Sequence, residues 1–393
     1  MTQPMPVSHR TFLKDVLICS LGAYGGPEAH FGVFSDHMVQ RRGYLTQEEL
    51  AELIALTVLL PGPSSTQTIA AIGYKVGGTR LSLLTLLVWA LPPLLVMTAL
   101  SFMGRVLDVL HINPEGLRYV GPMAVGFVAV AAWRIGRKVV TDVPAFALFF
   151  FGAAVTYFFK APWVYPLVLL SGGAVSVYLR RGETLWNPVT VRPPWKYLAA
   201  FVFLALGSLM LRAVWNARFV QLFESFYRYG YLVIGGGQVV VPMMVSELVD
   251  TNAWLTGREF LTGFGLVQGL PGPMFSFSAY AGGMAARDLG VIGQAAAALM
   301  SGLAIFLPGT LLIFFVYPIW ESVKGIHGVR ASLRGITAVA GGLIASAALS
   351  LMQKSGFSVD NLLVLAVSVA LLLWRKIPAP LIVLGAIVLG FAI

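Results

Sequence analysis

The sequence predicts an all-α polytopic membrane protein. It is expected to hold two inverted-topology repeats, each with a re-entrant helical hairpin broken at Pro-Gly-Pro, joined by a linker helix. Three observations carry this. Hydrophobic residues make up 58% of the 393 and charged residues 11%, about half the charge of a soluble domain, so the bulk solvent must be lipid. Apolar runs of ~18 or more residues, long enough to span a bilayer, recur, for example over 81–104, 289–317 and 334–352. The chain also matches itself at a fixed offset.

That offset is 210 residues. Gly25-Gly26 pairs with Gly235-Gly236, Leu45-Thr46 with Leu255-Thr256, Glu49 with Glu259, and Pro61-Gly62-Pro63 with Pro271-Gly272-Pro273. Without gaps, 25–63 gives 11 identities in 39 positions, where unrelated stretches of this composition share roughly three. Gly73 pairs with Gly283, and after a gap Gly121 pairs with Gly335. The expected organisation is an N-terminal repeat over 1–185, a linker with one transmembrane helix over 186–214, and a C-terminal repeat over 215–393. If each half crosses an even number of times, the single linker helix inverts the second half, the usual build of secondary transporters.

The elements follow in order. The first nine residues are polar and no cleavage-type signal precedes the first apolar run, so insertion through the chain's own helices is expected. Gly25-Gly26-Pro27 breaks the first apolar stretch, as Gly235-Gly236-Gly237 does in the second half, because helices rarely run through such triplets. Whether each break is a hairpin or a kink stays open at this point. Basic loops mark the cytoplasmic side: Arg41-Arg42, Lys75 with Arg80, Arg134–Lys138, and Arg180-Arg181 with Arg192 and Lys196. The stretch 46–76 must then enter and return on one side. Its first leg, 46–60, makes ~22 Å of helix, short of the ~30 Å core, so a re-entrant hairpin fits. Spans are expected over 81–104, 116–133, 144–159 and 162–180. A polar linker over 182–195 and an apolar segment over 196–213 lead into the second hairpin, 256–287, expected to enter from the opposite side.

Irregular backbone at membrane depth survives only where protein or water satisfies it, which makes the Pro-Gly-Pro tips candidate cavity walls. Hydroxyl and amide side chains follow each tip: Ser64, Ser65, Thr66 and Gln67, then Ser276 and Ser278. Free N–H groups and the positive dipole end at a helix start suit an anion, here a tetrahedral dianion held near the midplane. The plainer reading is helix capping. Gln238, Gln268 and Tyr280 are further polar residues near the breaks. Glu28 and His30 flank the glycine break and are the candidates for a coupling proton, the plainer reading being a solvated loop. Arg41, Arg42 and Lys75 suit an anion funnel, or simply anchor topology. Glu49 and Glu259, in the first turn of each hairpin, read as caps.

Much is excluded. There is no phosphate-binding Gly-Lys-Ser loop, no His-Glu-x-x-His helix and no CxxC pair, the five histidines are scattered, and no placed nucleophile and base is seen. Neither an enzyme, a metal site nor a cofactor is expected. The single cysteine, Cys19, forms no intramolecular disulfide and reads as a small core residue. The net charge of +10 sits at segment ends, a topology signal rather than a nucleic-acid face.

The motifs Phe12-x12-Gly25-Gly26-Pro27-x2-His30, Arg41-Arg42-x2-Leu45, Leu60-Pro61-Gly62-Pro63-x3-Gln67 and Ile72-Gly73 resemble the chromate ion transporter family, in its long, two-domain form. Gly235-Gly236-Gly237-x4-Pro242 and Leu270-Pro271-Gly272-Pro273 match that family's C-terminal counterpart. The resemblance implies chromate efflux across the bacterial inner membrane, driven by ion gradients, and chromate resistance. It implicates Gly25, Gly26, Pro27, His30, Arg41, Arg42, Pro61, Gly62, Pro63, Gln67 and Pro271–Pro273. One departure is Met274-Phe275 after the second tip, where the first has Ser64-Ser65, so the tips are not chemically equivalent. A sulfate-like oxyanion carrier and a passive anion channel are the alternatives. Chromate or such an oxyanion, membrane lipid and, as assembly, a homodimer are the expected partners, with no nucleic acid.

Overall fold

The computed structural model describes residues 8–159, 161–181, 192–234, 237–324 and 326–392. Among them every regular element is helical. Among the described residues, five helices are long and apolar enough to cross a membrane: Ser64–Leu100, Pro114–Val139, Trp195–Val214, Arg287–Ile319 and His327–Ser355. Four apolar helices are shorter: Val143–Phe158, Val164–Leu179, Val359–Trp374 and Ala379–Ala392. The protein is therefore a multi-pass membrane protein. The helix Trp195–Val214 covers the apolar run at 196–213, and only 6% of its most apolar window is buried. The polar linker's residues 182–191 and the Gly235-Gly236 break lie outside the described residues.

The chain packs as two compact units. The first comprises Met1–Leu100, Thr190–Tyr231 and Leu270–Lys324. Its hub is Ser64–Leu100, against which His9–Gly22, Gln47–Leu59, Phe277–Ala285, Gly290–Ala304 and Leu307–Val316 all pack. Phe12, Val16, Cys19, Phe34, Met38, Leu50, Leu56, Ile72, Trp89 and Phe314 fill its core.

Two helical hairpins define this unit. In the first, His9–Gly22 ends before Gly25 and Gly26, whose φ values of 92° and 90° suit glycine. Pro27 then opens the next helix at a position where its missing N–H costs nothing. Asp15 of the outgoing helix meets His37, Arg42 and Tyr44 of the returning chain, so the 25–27 break is a hairpin turn and not a kink. The returning helix, Pro27–Phe34, widens into a π-helical stretch, Ser35–Arg41. In the second hairpin, Gln47–Leu59 meets Ser64 and its successors across Pro61-Gly62-Pro63, with Thr57 and Thr68 hydroxyls bonded at 2.8 Å between the legs. The returning leg runs to Gly77-Gly78, whose non-helical torsions separate it from the long apolar helix that ends at Leu100.

The second unit comprises Ser101–Val189, Leu232–Gly269 and Gly325–Ile393. Here His327–Ser355 is central, packed on Val143–Phe158, Val164–Leu179 and Val120–Val139. Glycines allow the backbones to close in, as is usual between membrane helices. A Cβ at Gly335 would run into the Gly172 carbonyl, and one at Gly342 into the Phe149 carbonyl. The span expected over 116–133 is helical over Val120–Val139, its start displaced because Pro114–Leu117 takes a 3₁₀ turn capped by the Asn113 side chain.

Local geometry repeats at the 210-residue offset. Thr46 and Thr256 each form a complete capping box with Glu49 and Glu259, as the capping reading of both glutamates expected. A seven-residue π-helix precedes each box, Ser35–Arg41 and Val245–Thr251. Gly62 and Gly272 both carry positive φ, 130° and 92°. The match fails just after the tips. Ser64 begins an α-helix directly, whereas Met274–Ser276 first makes a 3₁₀ turn.

Candidate functional site

Both Pro-Gly-Pro tips belong to the first unit. At the first, Gln67 reaches back and donates from Nε2 to the Pro61 carbonyl (2.8 Å) and to the Gly309 carbonyl (3.2 Å). One amide thereby closes the tip and ties it to the helix Leu307–Val316. The fit is tight: a Cβ on Gly62 would lie 2.6 Å from Gln67 Nε2 and 3.1 Å from the Gly309 Cα. Because both donors of Gln67 are spent on carbonyls, its free atom is an acceptor, Oε1, which is buried with no partner among the described residues. Gln67 therefore serves as a clasp for the tip; an oxyanion needs donors.

Donors are present nearby. The first turn after the tip has amides without intrahelical acceptors; the first to bond back is Gln67 N, to the Pro63 carbonyl. Ser65 contacts His30, Oγ to Nδ1 at 2.9 Å. His30 is 2% exposed, and its Nε2 makes no well-formed hydrogen bond among the described residues, although the Ala23 carbonyl lies close by. With Nδ1 accepting from Ser65, Nε2 carries the proton and becomes a buried donor. The His30 ring stands edge-on to Trp89 at 5.4 Å, and Trp89 Nε1 donates to Thr66 Oγ1 at 3.2 Å. Ser20 Oγ donates to the Trp89 carbonyl at 2.7 Å.

The second tip joins this cluster through the first hairpin's turn: Gly272 N donates to the Ala23 carbonyl at 2.8 Å. A Cβ on Gly272 would lie 2.9 Å from Pro93 and 3.5 Å from Ser20 Oγ. Beyond the tip, Ser276 is fully buried and its hydroxyl has no partner among the described residues. Ser278 instead donates to the Phe275 carbonyl at 2.6 Å, a local capping role.

Of the residues singled out from sequence, Gly25, Gly26, His30, Pro61, Gly62, Pro63, Ser64, Ser65, Gln67, Pro271, Gly272, Pro273 and Ser276 fall in this one unit. Gln238 and Gln268 fall in the second. Glu28 is exposed in the first turn of its helix while His30 is buried, so the two coupling candidates do not share an environment. Each funnel cation has a carboxylate partner: Arg41 with Asp36 at 2.9 Å, Arg42 with Asp15 at 2.8 Å, and Lys75 with Glu49. That pairing lowers the positive field available to a passing anion. Glu49 is correspondingly held below the usual glutamate range: burial raises its pKa, but Lys75 and the Thr46 amide outweigh it.

Sequence reasoning missed Trp89, Ser20 and Asp15. The signal for Asp15 was present, a lone carboxylate in an apolar run, which is costly in a membrane and marks a role. It is fully buried, bonded through Oδ1 to His37 (3.0 Å) and Arg42 (2.8 Å) and through Oδ2 to Tyr44 (2.5 Å).

A family model described as chromate transporter matches residues 11–177 and 220–391. A chromate transport protein of Cupriavidus metallidurans is 27% identical over 93% of this chain and 88% of its own. A probable chromate transport protein of Synechococcus elongatus is 26% identical over 94% of this chain and 92% of its own. A chromate transport protein of Pseudomonas aeruginosa is 25% identical over 92% and 85%. No solved structure matches the chain.

Proposed function

The chain belongs to the chromate transporter family, and we propose that it is a secondary transporter exporting chromate across the bacterial inner membrane, so conferring chromate resistance. The observation that carries the site is His30: a buried imidazole, fixed by Ser65, whose Nε2 lies beside the Ala23 carbonyl between two broken hairpins and makes no well-formed hydrogen bond among the described residues. Chromate is a tetrahedral dianion and needs several converging donors in a dry place. His30 Nε2, the amides of Ser64–Thr66 at a helix start and the hydroxyl of Ser276 supply them.

The hairpins read as re-entrant. His9–Gly22, with 14 residues, and Gln47–Leu59, with 13, make about 20 Å of helix each, against a core of ~30 Å. Their tips therefore stop inside the membrane, where broken backbone belongs to a cargo site. The odd crossing of the linker helix inverts the second repeat, and alternating access follows from rocking the repeats about a midplane site. The expected assembly is a homodimer.

Sulfate has nearly the same size and charge, so competition is the test. Labelled chromate should bind the purified full-length protein and resist displacement by a tenfold excess of sulfate. Displacement by sulfate at equal concentration would transfer the reading to a sulfate carrier, and absence of chromate binding would end it.

A further inference from the structure

Asp15 and Arg42 form a pair whose place and asymmetry call for a role. Asp15 is fully buried, whereas Arg42 is 42% exposed in its side chain and sits where the first hairpin opens. Along the same helix, Ser20 and Ala23 touch the tip cluster, about 7 and 12 Å further on by helical rise. The pair thus stands on the approach to the proposed site.

The two repeats differ in chemistry at this place. At the 210-residue offset, Asp15, His37, Arg42 and Tyr44 correspond to Ser225, Glu247, Asn252 and Trp254. The second repeat nevertheless builds the same π-helix and the same turn, with Trp254 N bonded to the Leu248 carbonyl as Tyr44 N is to that of Met38, both at 2.9 Å. The backbone is kept while these four side chains change, and the second repeat places a different buried group there, Glu224 paired with Arg212 and Arg228.

We propose that Arg42 is shared between Asp15 and the transported oxyanion, and that Asp15 takes up a proton when the anion draws Arg42 away. This rests on the oxyanion-transport reading above. Two negative groups compete for one guanidinium. Once Arg42 turns to the anion, Asp15 is a buried carboxylate short of its cation, and burial then favours the neutral acid. The proton comes from the aqueous phase that reaches Arg42. His37 and Tyr44 stay hydrogen-bonded to Asp15 and position it. The other titratable groups on the elements around it are Asp36 and Arg41 on the π-helix, paired together, His9, Arg10 and Lys14 on its own helix, and Glu28 and His30 on Pro27–Phe34; Cys19 lies one turn on. The packed helix Ser64–Leu100 brings Lys75 and Arg80, of which Lys75 is paired with Glu49. Of the carboxylates among these elements, Asp36 and Glu49 are paired with Arg41 and Lys75, and Glu28 is exposed at the opposite end of the hairpin, beside its turn. The carried unit, a dianion with one proton, keeps a net negative charge, so an inside-negative potential still favours its exit.

The test is proton uptake on adding potassium chromate to the purified full-length protein, followed with a pH-sensitive dye in weak buffer. It is run at alkaline pH, where free chromate is a dianion. Wild type should take up about one proton per chromate bound. Asp15→Glu should keep that uptake, and Asp15→Asn should bind chromate and lose it, a split that a purely structural carboxylate would not give. If Asp15→Asn keeps the wild-type uptake, the inference is wrong. Should that variant fail to fold, Arg42→Gln decides: chromate affinity should fall about tenfold or more and proton uptake should vanish, whereas unchanged affinity overturns the inference. Wild type that binds chromate without proton uptake overturns this inference alone. Wild type that binds no chromate overturns the functional reading and this inference with it.

Discussion

His30 and Gln67 show how two similar-looking polar residues part ways once their neighbours are known. Both are 2% exposed and both stand beside the first tip. Gln67 spends its donors on the Pro61 and Gly309 carbonyls and becomes a clasp, while His30 Nε2, near the Ala23 carbonyl, makes no well-formed hydrogen bond among the described residues. The clasp makes Gly62 sensitive. Its φ of 130° and the 2.6 Å gap to Gln67 leave no room for a methyl group, so Gly62→Ala should cost about 1–3 kcal/mol and lower the thermal midpoint of the purified protein. An unchanged midpoint would mean that the tip relaxes freely. The need for a broken tip was legible in Pro61-Gly62-Pro63, because proline and glycine signal it locally. The His30–Ser65 contact was not legible, because it joins residues 35 apart whose meeting depends on two hairpins closing correctly.

Among elements, the capping boxes were readable from Thr46–Glu49 and Thr256–Glu259, since a cap depends on four consecutive residues. The π-helices that precede them were not readable: a seven-residue widening, Ser35–Arg41 or Val245–Thr251, leaves no periodicity in so short a stretch. Thr46→Ala should destabilise the second hairpin by about 1 kcal/mol, seen as faster hydrogen exchange over Gln47–Leu59. Because Glu49 has a lowered pKa, its contribution is complete above the ordinary glutamate range and fades as the pH falls through the lowered value. The protection of that helix against exchange, corrected for the intrinsic amide rate at each pH, should therefore fall in acid more in wild type than in Glu49→Gln. In the second unit, the approach of Gly342 to the Phe149 carbonyl makes the helix pair intolerant of bulk. Gly342→Leu should push His327–Ser355 off Val143–Phe158 and lower folded yield in detergent, whereas Gly207→Leu, which meets nothing within 4 Å, should not.

For the whole molecule, the duplication read from identities at offset 210 reappears as two stretches matched by one family model, 11–177 and 220–391. The packing units do not follow that division. Each draws on both halves of the sequence, and the first collects the first hairpins together with the second Pro-Gly-Pro tip. A linear repeat search finds related segments but carries no information on which segments pack together, because that is decided by long-range contacts such as Gly272 to Ala23 and Gln67 to Gly309. The proposed cargo site depends on this exchange, since neither half alone brings both tips to the His30–Trp89 cluster.

The most direct test of that account is uptake of labelled chromate into inverted membrane vesicles carrying wild type, His30→Ala or Ser65→Ala at matched, folded expression. Wild-type uptake that collapses with the ion gradient, a fall of about tenfold or more in His30→Ala, and a smaller fall in Ser65→Ala are the predicted results. Uptake in His30→Ala equal to wild type would contradict a cargo site at the joined hairpin tips.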